Sequence, residues 1–104
     1  MKEKRVLLSM AALSQATRLR LFRLLVVAGH NGATPGTLGK QLKVSPATLS
    51  FHLKELARAG LATQQRSGRN LIYRANYEAM NALLAYMTEN CCGLPAQAKP
   101  ACEC

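Results

Sequence analysis

The residues with the most distinctive chemistry in this 104-residue chain are its four cysteines, which all lie within the last fourteen positions. They form an adjacent pair, Cys91-Cys92, and a spaced pair, Cys102 and Cys104. Random scatter would rarely confine every cysteine to one end, so the grouping calls for a chemical explanation. Thiolates are nucleophiles and soft ligands, which leaves three interpretations: disulfides, a zinc-type site, or a covalent site for a thiol-seeking metalloid.

A disulfide between the adjacent cysteines is disfavoured, because neighbouring Cα atoms lie about 3.8 Å apart and an unstrained bridge needs about 4.4 Å. A bridge from Cys91 or Cys92 to the tail is sterically open, but a reducing cytoplasm works against it. Four thiolates could also bind zinc or cadmium, yet structural zinc sites usually place their paired cysteines two to four residues apart. The spacing therefore disfavours both interpretations without excluding either.

Trivalent arsenic or antimony suits the pattern better. These soft centres bond to three sulfurs in a shallow pyramid and lose hydroxide as water. Cys91 and Cys92 supply two neighbouring thiols, and the short segment 93–101 allows Cys102 or Cys104 to supply the third. A methylated arsenical needs only two thiols and would be served by Cys91 and Cys92 alone. We predict a trivalent arsenic site in the tail, with all four cysteines as candidate ligands.

Helices and one hairpin are predicted to position this tail. Thr34-Pro35 and Ser45-Pro46 are helix-opening signals, and Ser14 is a plausible N-cap for the helix before them. The predicted elements are helices over about 4–13, 15–28, 35–43 and 46–59, a hairpin of 61–66 and 71–75 around a turn at 67–70, and a helix over 76–90.

A helix-turn-helix followed directly by a hairpin predicts a fold class that is mainly α with a β-hairpin wing, a winged helix-turn-helix. Residues 1–90 form one DNA-binding and dimerisation domain in this prediction. Residues 91–104 form a flexible cysteine-bearing tail that binds the metalloid.

The outward face of the fourth helix is predicted to enter the major groove of DNA, and the wing is predicted to reach the minor groove. Three alternatives stay open: Phe51 as a protein contact, His52 as a packed histidine, and the wing arginines as solvated charges. The candidate DNA-binding residues are Ser45, Ala47, Thr48, Ser50, Phe51, His52, Lys54, Arg66 and Arg69.

The charge distribution favours a polyanionic partner. The net charge is +9, and thirteen of the fourteen Lys and Arg residues precede Glu89. Neutralising phosphates releases counterions, so double-stranded DNA is the predicted partner. Three arginines, Arg18, Arg20 and Arg23, interrupt the apolar second helix and are expected to reach solvent or phosphate.

Several absences narrow the function. The chain has no Asp, only two His and no phosphate-binding glycine loop, which excludes a Ser-His-Asp triad and argues against an enzyme. No run approaches the roughly eighteen apolar residues of a membrane span, and no signal-peptide cleavage pattern follows the N-terminus. We expect a cytoplasmic protein without membrane association.

Three blocks in this order are similar to the ArsR/SmtB family of bacterial repressors. They are residues 16–21 (Ala-Thr-Arg-Leu-Arg-Leu), residues 49–56 with Ala59-Gly60-Leu61, and Gly68-Arg69 ahead of Tyr73. The resemblance covers about residues 5–90. It implies a homodimer, paired through its first and last helices, that leaves its operator when a metal or metalloid binds.

The resemblance also bears on the sensing site. Cys91-Cys92-Gly93 after the last helix looks like the C-terminal arsenic site of some family members. Phe51 stands where many members have His, so the operator preference is expected to differ. The third helix lacks the cysteines of one family metal site, and the last helix lacks the Asp and His of another. The resulting hypothesis is a homodimeric arsenic-responsive repressor, with antimonite as a further inducer; the alternative is a regulator that responds to zinc, cadmium or thiol oxidation.

Overall fold

The computed structural model describes residues 1–93 and confirms a mainly helical fold with one antiparallel hairpin. Every predicted element is present, with boundaries within a few residues of those expected. The elements are α1 (Glu3–Leu13), α2 (Ala16–Ala28), a 3₁₀ turn (Gly29–Asn31), α3 (Pro35–Leu42), α4 (Pro46–Arg58), β1 (Ala62–Ser67), β2 (Asn70–Ala75), α5 (Tyr77–Thr88) and a 3₁₀ turn (Cys91–Gly93).

The junction between α1 and α2 corrects one predicted cap. Gln15, not Ser14, caps α2, because its side-chain oxygen accepts the Arg18 backbone N–H at 2.8 Å. The Ser14 hydroxyl instead donates to the Ala11 carbonyl at 2.8 Å. The two helices are nearly contiguous, so Ser14 satisfies a carbonyl at the end of α1 that has no partner within the helix.

The core lies between α2, α3, α4 and the hairpin. Fully buried leucines from each helix meet there, with Tyr73 from β2 closing one side. Asn76 fastens α5 to this core: its Oδ1 caps the helix by accepting the Ala79 N–H, and its Nδ2 donates to the Gly60 carbonyl at 2.9 Å. The leucines that fill the core are Leu21, Leu25, Leu38, Leu49, Leu53, Leu56 and Leu61.

The hairpin turn is the predicted tetrad 67–70. Ser67 and Asn70 pair with each other, so each strand extends one residue further than expected and Gly68 and Arg69 are the two central residues of the turn. Gly68 has φ +63°, a conformation that primed two-residue hairpin turns require and that glycine adopts without strain. Pairing therefore runs the full length of both strands.

Several apolar side chains of α1 and α5 are exposed. On α1, Leu7 and Leu8 are 60% and 47% exposed, and on α5, Leu84 and Met87 are 55% and 57% exposed. No residue of α5 is buried, although its N-terminal half packs against the core through Tyr77 and Met80. Exposed apolar patches of this kind mark interaction surfaces. Among residues 1–93 no helix is long and apolar enough to cross a membrane.

Candidate nucleic-acid interface and cysteine cluster

The turn between α3 and α4 fixes where the predicted recognition helix begins. Lys43 ends α3 in the left-handed region (φ 57°), and Ser45 Oγ accepts the Thr48 backbone N–H at 3.3 Å. The Ser45 hydroxyl also donates to Thr48 Oγ1 at 3.0 Å. Both side chains are exposed. They therefore lie at the start of the recognition helix as predicted, with their hydroxyls engaged in its cap.

The outward face of α4 carries the expected side chains. Ala47, Ser50, Phe51 and Lys54 are exposed within two helical turns, and Phe51 is 56% exposed. Leu49, Leu53 and Leu56 occupy the opposite, buried face. On this face the Ser50 hydroxyl can contact base edges, the Phe51 ring can contact thymine methyl groups, and the Lys54 ammonium can contact guanine or a phosphate. Arg58 continues this face one turn later and pairs with Glu55 at 3.1 Å.

His52 points into the protein, which corrects its prediction as a DNA-binding residue. Its side chain is 7% exposed, and its Nδ1 lies 3.3 Å from Arg18 Nη1. A guanidinium can only donate, so Nδ1 accepts and the ring proton of the neutral imidazole resides on Nε2. Burial and then the Arg18 charge lower the His52 pKa below its usual value, while Glu55 acts in the opposite direction. The packed alternative is the one observed.

Arg18 also departs from expectation. It is partly exposed, but its Nε donates to the Ala12 carbonyl at 2.7 Å and its Nη1 lies near His52, which the sequence did not predict. Arg20 and Arg23 are exposed, as expected. Helical spacing could have indicated the inward position of Arg18, because it lies three residues before the buried Leu21 and so shares its face of α2.

The wing presents Arg66 on β1 and Arg69 at the turn, and both are exposed. Arg74, which was not predicted to have a role, secures the base of the wing. Its Nε donates to the His30 carbonyl at 2.7 Å, and its Nη1 donates to Gln65 Oε1 at 2.7 Å. This side chain links both strands to the turn after α2 and so holds the base of the wing against that turn.

A short backbone bridge completes that attachment. Ala33 N–H donates to the Tyr73 carbonyl at 2.9 Å, and Tyr73 N–H donates to the Ala33 carbonyl at 2.8 Å. The approach is close: a Cβ on Gly32 would lie 2.7 Å from the Tyr73 carbonyl oxygen and 2.6 Å from Ile72 Cγ2. Gly32 (φ +71°) therefore provides space for β2 as well as backbone freedom.

The adjacent cysteines follow α5 directly. Cys91 and Cys92 lie in the terminal 3₁₀ turn with their Sγ atoms 3.4 Å apart. Neither thiol is free in the structure. Cys102 and Cys104 lie outside the described residues. Within residues 1–93 no group of three or more His, Cys, Asp or Glu side chains could hold a metal ion.

Comparison with known proteins identifies related sequences. Residues 13–65, from the end of α1 into β1, match a family model described as a helix-turn-helix domain. The HTH-type transcriptional regulator YgaV of Escherichia coli (strain K12) is 30% identical over 73 residues, which are 70% of this chain and 74% of that protein. The match contains the helix-turn-helix and shows a family of regulators rather than enzymes.

Solved structures agree on the fold. An ArsR-like transcriptional regulator from Rhodococcus sp. RHA1 superposes with a TM-score of 0.72 at 27% identity, over 81% of this chain and 76% of that one. A structure described as a possible transcriptional regulator for arsenical resistance has a TM-score of 0.65 at 30% identity, covering 76% and 79% of the two chains. Each superposition covers more than three quarters of this chain, so both structures share its fold.

Proposed function

Because this chain belongs to the ArsR family of winged helix-turn-helix, DNA-binding transcriptional regulators, we propose that it is a homodimeric repressor that trivalent arsenic releases from its operator. The observation that carries this proposal is the position of Cys91 and Cys92, which two residues separate from the Thr88 end of α5. A ligand bound at these sulfurs would act next to the exposed apolar face of α5.

The homodimer is supported by the apolar surfaces of α1 and α5. Leu7, Leu8, Leu84 and Met87 are all about half exposed or more, which is costly for a protomer that stays alone in water. A two-fold pairing through these helices would cover them and present two copies of α4 to one operator. Successive half-sites of such an operator lie about one helical turn apart.

The chemistry at Cys91 and Cys92 suits an arsenic centre in the reduced protein. Each thiol replaces one hydroxide of arsenite, and its proton leaves with that hydroxide as water. Two thiols on neighbouring residues are available to one soft centre without the spacing that a tetrahedral zinc site usually needs. Cys102 and Cys104 are the candidates for the third sulfur.

Operator-binding titrations test this proposal. With the reduced wild-type protein and an operator selected from a random duplex library, we expect arsenite to weaken binding by about 5- to 150-fold, the usual range of allosteric coupling. Cys91→Ser/Cys92→Ser should bind the same operator and lose the response. Single Cys102→Ser and Cys104→Ser variants identify the third ligand. Unchanged release of the double variant at the same arsenite concentration would exclude this site.

A second candidate function is release by thiol oxidation, and the grouping of all four cysteines within residues 91–104 favours it. A peroxide that converts two thiols to a disulfide takes up two electrons and two protons and leaves as two water molecules. The same operator titration distinguishes the two functions. A redox regulator releases DNA with peroxide and rebinds it after a dithiol reductant, but ignores arsenite under reducing conditions. A zinc or cadmium regulator would respond to those ions instead.

A further inference from the structure

Arg18 is the side chain that joins three helices of the DNA-binding domain. It extends from α2, donates through Nε to the Ala12 carbonyl at the end of α1, and contacts His52 Nδ1 in the middle of α4 through Nη1. The two contacts use different nitrogens of one planar group. The position of Arg18 therefore fixes the end of α1 and the recognition helix relative to each other.

Both partners of Arg18 are polar groups that the fold would otherwise leave unsatisfied. The Ala12 carbonyl is among the last four of α1, for which the helix supplies no N–H donor, and Ala12 is 9% exposed. His52 is 7% exposed and needs a donor at Nδ1. Leaving either group unpaired carries the desolvation penalty of a buried polar atom. The two contacts therefore lie at the partly buried junction of α1, α2 and α4.

We infer that Arg18 is a positioning residue for operator binding: it sets the orientation of α4 against α1 through the Ala12 carbonyl and His52, without touching DNA. His52 sits between Phe51 on the outward face and Leu53 on the buried face, so a shift of its ring moves the helix that carries Ser50 and Lys54. The DNA-binding role on which this inference rests is the family's; the inducer response proposed above is not required for it.

The same contact supplies a route from the dimer surface to DNA. Leu7 and Leu8 lie on the exposed face of α1, whose last turn contains the carbonyl that Arg18 holds. A rotation of α1 would therefore be transmitted through one guanidinium to the centre of α4. Coupling carried by a defined contact between rigid elements is a physical route for allostery.

The competing explanation is that Arg18 matters only as one positive charge near DNA. Arg20 is the matched control, since it lies two residues away on α2, is exposed, and its substitution by Gln removes the same charge. Losing a distant charge weakens operator and random DNA alike, because phosphate attraction carries no sequence information. Losing the position of α4 weakens the operator selectively.

The experiment measures the affinity of the reduced protein for the selected operator and for a random duplex of equal length, with no arsenite present. We expect Arg18→Gln to weaken operator binding by about tenfold more than Arg20→Gln, in the range of couplings between contacting residues, while random-duplex affinities match. Arg18→Lys keeps the charge but cannot span both acceptors, so it should lose operator selectivity as well.

His52 variants provide the second measurement. Asn carries an oxygen where the imidazole has Nδ1, so His52→Asn should retain operator selectivity, whereas His52→Leu should lose it as Arg18→Gln does. Adding Arg18→Gln to His52→Leu should then cost little more, because one contact is already absent. Equal effects of Arg18→Gln and Arg20→Gln on both duplexes, or full additivity with His52→Leu, would overturn the inference. Circular dichroism confirms that each variant is folded at the assay temperature.

Discussion

Two glycines on either side of one short turn offer a direct test of how the wing is attached. Gly29 and Gly32 have nearly the same backbone conformation, with φ/ψ of 69°/−153° and 71°/−167°. This region is essentially restricted to glycine. A Cβ on Gly29 would meet nothing within 4 Å, whereas one on Gly32 would press on Ile72, the Tyr73 carbonyl and Arg74 at 2.6–2.9 Å. Gly29→Ala is therefore a matched control for Gly32→Ala.

The expected magnitudes follow from these contacts. Backbone strain costs both variants about 1–3 kcal/mol of unfolding free energy. Gly32→Ala adds an overpacking cost of about 1–3 kcal/mol, because one of the clashing atoms is the backbone oxygen of Tyr73, which already accepts the Ala33 N–H. A flexible side-chain end could turn away from the new methyl group, but this carbonyl cannot do so without loosening the bridge.

Urea and thermal unfolding of both variants at one protein concentration measure the difference. Gly32→Ala should melt below Gly29→Ala by about 4–8 °C for each kcal/mol of added cost. Its operator affinity should also fall further, because displacement of β2 moves the arginines of the wing. Equal melting temperatures for the two alanine variants would refute the view that close packing at Gly32 holds the wing in place.

Two further predictions concern other surfaces. Leu84→Lys should convert the proposed dimer to a monomer in sedimentation experiments, since it places a charge on the exposed face of α5; Val27→Lys, at an 84% exposed position on α2, should leave the assembly unchanged. The second prediction concerns pH: the free energy of unfolding should be highest above about pH 6.5 and fall at lower pH. Burial and the Arg18 charge hold the His52 pKa in the folded protein below 6.5, despite the opposite effect of Glu55. As the pH falls, the unfolded chain therefore takes up this proton before the folded protein does. In urea unfolding at a series of pH values, His52→Asn should lose the fall in unfolding free energy that His52 protonation causes. An unchanged pH profile in this variant would contradict the prediction.

The element order was predictable because local chemistry determines it. Thr34-Pro35 and Ser45-Pro46 start α3 and α4 as expected, each with its hydroxyl accepting a hydrogen bond from the first turn. The same local reasoning gave the wrong cap at Ser14. This residue lies between two helix ends, and its hydroxyl binds the end of α1 while Gln15 caps α2. Propensity identifies a capping residue, but it does not say which of two adjacent helix ends the residue will serve.

Of the candidate site, the sequence predicted the exposed side chains of α4 but not the contacts between helices that position them. Helical periodicity placed Ala47, Ser50 and Lys54 on one exposed face, since a face follows from spacing alone. The partners of Arg18 are Ala12, six residues before it, and His52, thirty-four residues after it. Such contacts depend on how helices pack, which periodicity does not encode. The same holds for Arg74 and the His30 carbonyl.

The length of the hairpin that ends at Gly68 and Arg69 can be compared with the spacing of the grooves of DNA. Each strand has six residues, but the inner half of the hairpin packs against the core as far as the Ala33–Tyr73 bridge. The outer three residues of each strand, at about 3.3 Å each, project for about 10 Å, equal to the rise of about three base pairs. With α4 in the major groove, we expect this projecting half to carry Arg69 toward the adjacent minor groove. Because the strands are paired up to the turn, the position of Arg69 relative to the rest of the hairpin is fixed. We therefore expect the protein to bind each half-site in one rotational orientation about the DNA axis.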